Sequence, residues 1–479
     1  MNPIDFVARE REIKKLQKVW NSRRSEFVAV YGRRRVGKTF LVRTMFKNEF
    51  TFYSTAIANV DKKQQLFNFY TSLKKYRGND SPEKPPKNWF EAFQQLITFL
   101  EQSKVERKLL FLDELPWFDN KKSDFIPSLE HFWNHWASAR TDIVLVTCGS
   151  AASWMINKLI NHKGGLHNRV TSRIKLEPFT LKETEIFLKI KNPAIDRYQV
   201  IQLYMAMGGI PFYLNEVATE WSAVQNIEQI CFASDGLLRT EFNNLFNALF
   251  SKAERHISIV KAISTKAKGL TRQEIVELTK LSSNGQTTKL LNELEESGFI
   301  RKYIPFQKKK RNSLYQLIDF YTLFYLRFIQ KANPYDQNIW INSLETSSYR
   351  AWSGYAYEQI CLYHIQQIKE ALGIAGIYTQ TFSWRSTSKN PKQKGAQIDL
   401  LIDRRDHVIN LCEVKFSIAP FVITKSYAAQ LQQKISIFKA ETGTNKAIYL
   451  TMISTYGVTQ NTYAMNLVRN NLTMDALFQ

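Results

Sequence analysis

The stretch YGRRRVGKTF, residues 31–40, sets Gly32, Gly37, Lys38 and Thr39 in the spacing G-x-x-x-x-G-K-[ST]. Glycines let the backbone curl without Cβ clashes, so successive N–H groups point inward at an anion, and a following helix N-terminus adds partial positive charge. In such a cradle Lys38 reaches the β- and γ-phosphates of a nucleotide, and the Thr39 hydroxyl meets Mg²⁺. Arg35 and Phe40 lie in the same stretch and join the nucleotide-binding candidates. The run Arg33-Arg34-Arg35 reads either as help in holding a triphosphate or as solvated arginines on a loop tip.

Hydrolysis needs acid groups brought to the same place. The segment KLLFLDELPWF supplies an apolar run, Leu109 to Leu112, ending in Asp113 and Glu114. Asp113 suits the Mg²⁺ shell, and Glu114 suits polarising the attacking water. A third run, DIVLVTCGS, ends in Thr147, Cys148 and Ser150. A polar group there could sit beside the γ-phosphate and sense hydrolysis; Ser150 could equally be the N-cap of the next helix.

A further constellation lies near the C-terminus in QIDLLIDRRDHVINLCEVKFS, which reads as a hairpin turning at Arg404 to Asp406. Residues two apart on a strand point the same way, so Glu413 and Lys415 share a face, and Asp399 on the facing strand can lie across from them. Two carboxylates and a lysine on one surface suit Mg²⁺-assisted phosphodiester hydrolysis: the acids hold the metal and the lysine neutralises developing charge.

The elements that must carry these residues follow from periodicity. FVAVY reads as a buried strand, TFLVRTMF as a helix, and AASWMINKL as another helix. From Leu181 to Phe250 the pattern is helical, with a stop at Gly208-Gly209 before Pro211. Residues 257–319 offer three helical segments and two short strands, near Ile300 to Ile304 and Leu314 to Ile318, which flank Lys308, Lys309, Lys310 and Arg311. That is the order of a winged helix, whose third helix enters a major groove in DNA-binding examples. Winged helices also serve as protein-protein spacers, and Glu293, Glu295 and Glu296 on the third helix would repel DNA. RGNDSPEKPPKN suits an exposed insertion in the first domain.

The 479 residues carry 66 Lys and Arg against 43 Asp and Glu, a net charge of +23, which points to a polyanionic partner such as nucleic acid. At 44% hydrophobic and 13% aromatic content the chain can bury several cores, and its length suggests about three domains. No run approaches the ~18 apolar residues of a membrane span, and the N-terminus has no apolar signal stretch. The four cysteines, Cys148, Cys231, Cys361 and Cys412, form no C-x-x-C pair, so neither a zinc ribbon nor a disulfide framework is supported, and a reducing cytoplasm is the simplest setting. His131 and His135 are four apart on an aromatic helix without an H-E-x-x-H pattern, which favours packing or surface roles.

Taken together, FVARERE, YGRRRVGKT, LLFLDELPW, VTCGS, HNRVTSRIKLEPFT and MGGIPFYL resemble, in this order, archaeal-type ATPases, a branch of the AAA+ and STAND-like P-loop NTPases. The resemblance covers about the first half of the chain. It implies that Phe6, Val7, Arg9 and Glu10 lie near the adenine, although Ala8 stands where the family usually shows Gly. It also implies that Arg169 or Arg173 acts on the γ-phosphate as an arginine finger, and that Pro211 lies in the lid over the base. The C-terminal pattern Asp399…Glu413-Val414-Lys415 resembles the PD-(D/E)xK nucleases, with Ile398 in place of the motif's proline. There the resemblance makes WSGYAYEQICLYHI the first helix and Glu358 a further metal-holding acid beside Asp399 and Glu413. The polar loop WRSTSKNPKQKGAQ would face phosphate.

These features define an expected α/β protein: a P-loop NTPase core at 1–180, a helical lid at 181–250, a winged-helix domain at 251–345 and an α/β nuclease-like domain at 346–479. The expected cofactors are ATP and Mg²⁺, and the expected partner is nucleic acid, DNA first, with a homo-oligomer open and no membrane. The expected function is ATP binding and hydrolysis that regulates or positions a C-terminal Mg-dependent nuclease-like domain on DNA. The alternatives are an ATP-switched STAND-like regulator that binds nucleic acid or protein without cleaving it, and a chaperone-like machine acting on protein.

Overall fold

Glu26–Gly32 forms β1, and its burial along nearly the whole length fits a strand covered on both faces, as parallel sheets require. A computed structural model of the chain describes residues 8–78, 84–120, 123–161, 164–250, 252–333, 336–386 and 395–479. Phe6, Val7, residues 79–83 of the charged insertion and residues 387–394 of the polar C-terminal loop lie outside them. The chain divides into two compact units, Met1–Pro178 with Asn247–Ser251, and Phe179–Phe246 with Lys252–Gln479.

In the first unit β1 is joined by β2 (Phe52–Thr55), β3 (Lys108–Asp113), β4 (Ile143–Gly149) and β5 (Ser172–Leu176). The sheet order is β2-β3-β4-β1-β5, and every pairing is parallel. All strands therefore end on one edge, and β4 separates the glycine-loop strand from the acidic strand. One face packs on the helices Lys62–Arg77 and Trp89–Gln102 through Phe52, Phe69, Trp89, Phe93, Phe118 and Phe125. Trp89 is edge-on to Phe69, Phe118 and Phe125 at ring separations of 5.5, 5.4 and 4.9 Å. Truncating so enclosed a ring costs about 3–5 kcal/mol.

The second unit begins with helices Leu181–Lys191, Arg197–Met207, Pro211–Leu214, Ala223–Cys231 and the helix starting at Glu241, matching the helical pattern up to residue 250. Helices Ala253–Ser264, Arg272–Thr279 and Gly285–Glu296 follow, with β7 (Ile300–Tyr303) and β8 (Leu314–Leu317) after them. A short strand, β6 (Leu270–Thr271), pairs with β8 to make a sheet of order β6-β8-β7. Two residues carry no period, so the sequence pattern does not reveal β6. The loop between β7 and β8 is docked rather than free: Phe306 donates its N–H to Ser383 O at 2.9 Å, and its ring meets Phe382 and Phe438. Lys308 to Arg311 remain exposed.

Beyond the helix Ser347–Tyr363, the strands β9 (Thr379–Arg385), β10 (Gln397–Arg404), β11 (Val408–Lys415), β12 (Ala447–Ser454) and β13 (Val468–Leu472) form one sheet in the order β13-β12-β11-β10-β9. β9, β10 and β11 are antiparallel neighbours; β12 runs parallel to β11 after the crossover helix Lys425–Thr442. The five residues of β11 from Val408 are buried, and burial eases at Glu413 to Lys415, the end where chemistry was expected.

His364 ties the first helix of this unit to the Ser347–Tyr363 helix. Its Nε2 accepts from Leu181 N at 2.9 Å and its Nδ1 lies 2.9 Å from Ile360 O, so the ring is neutral with its proton on Nδ1. Burial pushes its pKa down to about 4. The unfolded chain takes a proton near pH 6.5 while the folded ring refuses it, so stability is full above that pH and falls as pH drops towards 4. Urea unfolding should show a loss of up to about 3 kcal/mol across this window, and His364→Asn should flatten the slope.

Candidate functional site

The glycine loop lies at the C-terminal end of β1. Gly32 has φ +144°, and a Cβ there would meet Leu176 O at 2.2 Å, so only glycine fits beside β5. Gly37, with φ +90°, leads into the helix Lys38–Met45, whose first N–H groups face the loop. Lys38 is buried and donates to Gly32 O at 3.1 Å and Arg33 O at 2.7 Å. Arg33 is buried and Arg34 and Arg35 are half-buried, so the arginine run is not a solvated tip. Phe40 is 58% exposed on the first turn of the helix.

Thr39 Oγ1 donates to Asp113 Oδ1 and Oδ2 at 3.1 and 3.0 Å, across the end of β4. A hydroxyl and a carboxylate that meet in this way fit a hard cation: Thr39 and Asp113 would hold Mg²⁺, which shields phosphate charge when bound. Burial pushes the Asp113 carboxyl up, aided by the Glu114 charge, and burial pushes the Lys38 ammonium down. Each charged form is thus under-compensated, so an anion beside Lys38 and a cation beside Asp113 are both favoured. The Cys148 thiol, beside both groups, is pushed well up by burial and stays protonated.

Glu114 has φ 51°, a left-handed conformation costly for a side chain and typical of functional positions. Its Oε1 accepts from Ser150 Oγ at 2.8 Å, and its Oε2 from Ser150 N at 3.4 Å. Ser150 is therefore not the N-cap of the following helix, a position held by Ala151. It orients the residue expected to polarise water.

In the second unit, the β10–β11 register pairs Leu400 with Cys412, and continuing it by one residue sets Asp399 opposite Glu413. A bulge between Ile398 and Leu401 on the β9 side re-aims this part of β10. Glu413 Oε1 lies 3.1 Å from Lys415 Nζ and accepts from Tyr427 OH at 2.6 Å; Oε2 lies 2.6 Å from Lys434 Nζ. Burial works to raise the Glu413 carboxyl, but Lys434 and Lys415 outweigh it and hold it low. Glu358, partly buried on the Ser347–Tyr363 helix, is pushed up to about 6, chiefly by burial, with the charges of Lys268 and Glu413 acting on it. Asp399 is ion-paired with Lys268 and accepts from Gln397 Nε2 at 2.9 Å. As arranged, these carboxylates do not fit a metal: among the described residues no group of three His, Cys, Asp or Glu could hold one.

Residues 6–217 match the family described as an ATPase domain predominantly from Archaea. This part of the chain is an archaeal-type ATPase domain. The Walker-type ATPase PABY2304 of Pyrococcus abyssi shares its fold at a TM-score of 0.50 and 16% identity, over 68% of this chain and 97% of that one. The uncharacterized protein MJECL04 of Methanocaldococcus jannaschii is 24% identical over 420 residues, 86% of this chain and 87% of its own, so the likeness continues past the ATPase domain. The uncharacterized ATP-binding protein MJ0423 of the same organism is 41% identical over 46 residues, 10% of this chain and 78% of its own. Family and fold together support ATP hydrolysis as the activity of this domain.

Within the ATPase domain, Arg169 is exposed just ahead of β5, near Thr171, whose N–H bonds Phe27 O at the start of β1. The glycine loop is at the other end of that strand, about 16 Å away by strand rise, so the domain does not bring its own Arg169 to the cradle. Arg173 is exposed near the start of β5, opposite Ala29 midway along β1. Pro211 opens a four-residue helix in the second unit. Ala8 has φ 63°, which accounts for the glycine usual there; Arg9 is buried and donates to Val36 O at 3.2 Å, and Glu10 starts the first helix. The His131 and His135 rings meet at 4.8 Å, tilted by 31°, and among the described residues they belong to no metal-holding group. Sequence reasoning missed Lys268, Tyr427 and Lys434, which reach the C-terminal carboxylates only through folding; the seven-residue spacing in YAAQLQQK, two helical turns on one face, was a signal for the last two.

Two substitutions separate the roles in the ATPase domain. Glu114→Gln should bind ATP but turn it over about a hundredfold or more slowly. Ser150→Ala should lower kcat by roughly three- to tenfold with KM unchanged, because it releases Glu114 without touching the cradle. Steady-state phosphate release and nucleotide-binding titrations check both.

Proposed function

We propose that the chain is an ATP-hydrolysing protein that acts on DNA, in which the ATPase domain regulates or positions a C-terminal nuclease-like domain of the PD-(D/E)xK type. The observation that carries the second part is the placement of Asp399 across from Glu413, with Lys415 two residues on and Glu358 on the preceding helix. The net charge of +23 and the exposed Lys308 to Arg311 support a polyanionic partner. Against this, Glu293 and Glu295 keep their negative charge on the third helix: Glu293 is hydrogen-bonded to His256 at 2.8 Å and lies 3.9 Å from Lys289 Nζ, and Glu295 accepts from Lys302 N at 3.0 Å. The three helices and the β6-β8-β7 sheet support a winged helix as the DNA-contacting part. An arginine finger, if Arg169 serves as one, comes from a second copy of the chain.

A second reading is favoured by the ion pair of Lys268 with Asp399: an ATP-switched regulator that binds nucleic acid without cutting it. Plasmid nicking in Mg²⁺ and Mn²⁺, with and without ATP, separates the two. The nuclease reading expects nicking that Glu413→Ala abolishes and Lys38→Ala alters. ATP hydrolysis and salt-sensitive DNA binding without nicking would replace it with the second.

A further inference from the structure

The carboxylates of the C-terminal site are neutralised from within. Glu358, Asp399 and Glu413 face Lys268, Lys415 and Lys434, three acids against three ammonium groups. Lys415 and Lys434 belong to the same sheet and its crossover helix. Lys268 does not: it sits on the turn between the helix Ala253–Ser264 and β6, over 130 residues before Asp399.

That turn is held in place by several bonds. Gly269, with φ +83°, allows it, since a Cβ there would lie 2.1 Å from Tyr315 O. Tyr303 OH donates to Lys268 O at 2.7 Å, and Gln316 Nε2 donates to Ala267 O at 2.8 Å. Tyr355 OH also donates to Ala267 O at 2.9 Å. Tyr355 lies three residues before Glu358 on one helix face, so the turn is stapled to the helix that carries the third acid. From there Lys268 reaches Asp399, its side chain 20% exposed and that of Asp399 26%.

We propose that Lys268 is a built-in cation that closes the carboxylate site to divalent metal. The proposal rests on the nuclease-like reading of Asp399 and Glu413. An ammonium on Asp399 and a divalent ion cannot share the same carboxylate oxygens, and holding both would place uncompensated positive charge in a partly buried site.

The test is Mn²⁺ binding to the full chain without nucleotide, read by the electron paramagnetic resonance of free Mn²⁺. Lys268→Ala, and Lys268→Met as a variant that keeps the packed stem, should each bind Mn²⁺ about tenfold or more tightly than wild type. Adding Asp399→Asn should remove the gain, and Lys268→Arg should bind like wild type. Equal affinity in wild type and both charge-removing variants, or a gain that survives Asp399→Asn, overturns the proposal. Asp399-dependent Mn²⁺ binding by Lys268→Ala without plasmid nicking upholds the closure and counts against the nuclease reading instead.

Discussion

A parallel sheet covered on both faces leaves only its strand ends free for chemistry, and in the ATPase domain this constraint decides the rest. β4 lies between β1 and β3, so the glycine loop and the acidic pair must meet over its tip. The tip is built to permit that. Gly149 leaves room for Pro116 and Met155, whose atoms would lie 2.8 and 2.7 Å from a Cβ, and Ser150 turns back to hold Glu114. The Thr39–Asp113 contact is the result, one hydrogen-bonded bridge joining the cradle helix to the acidic strand.

The two candidate sites treat buried charge in opposite ways. In the ATPase domain Lys38 turns back on loop carbonyls and Asp113 meets a neutral hydroxyl, so each keeps an unmet demand for an opposite charge. A nucleotide with its cation answers both at once. In the second unit Asp399 and Glu413 already have lysines, and Lys434 and Lys415 hold the Glu413 carboxylate low, although burial still raises Glu358. Low dielectric makes both arrangements consequential: an unpaired charge there is costly, and a paired one is hard to displace.

Much of the fold was legible because its signals are local. The glycine spacing and the apolar runs before Asp113 and Glu413 each depend on residues a few positions apart. The roles of Arg33, Ser150 and Glu293 were not legible. For Arg33 the sequence leaves open a solvated tip or a phosphate contact until the loop folds over it, for Ser150 a helix cap or a strand-end polar group until β4 brings it to Glu114, and it does not show that Glu293 meets His256. The β7–β8 loop likewise reads as basic and exposed, yet Phe306 in the same loop is packed into the C-terminal core.

The sequence by itself determined the chemistry available: a phosphate cradle at Gly32 to Thr39, an acidic strand end at Asp113 and Glu114, and an Asp399, Glu413, Lys415 hairpin, because spacing along one or two elements sets which side chains share a face. Only the tertiary structure decided which charges meet across elements. It sent Lys268 to Asp399, Lys434 to Glu413 and Ser150 to Glu114, and it kept Arg169 at the far end of β1 from the cradle. Electrostatic partnership depends on a few ångströms of separation and on burial, and neither is encoded in the order of residues along the chain.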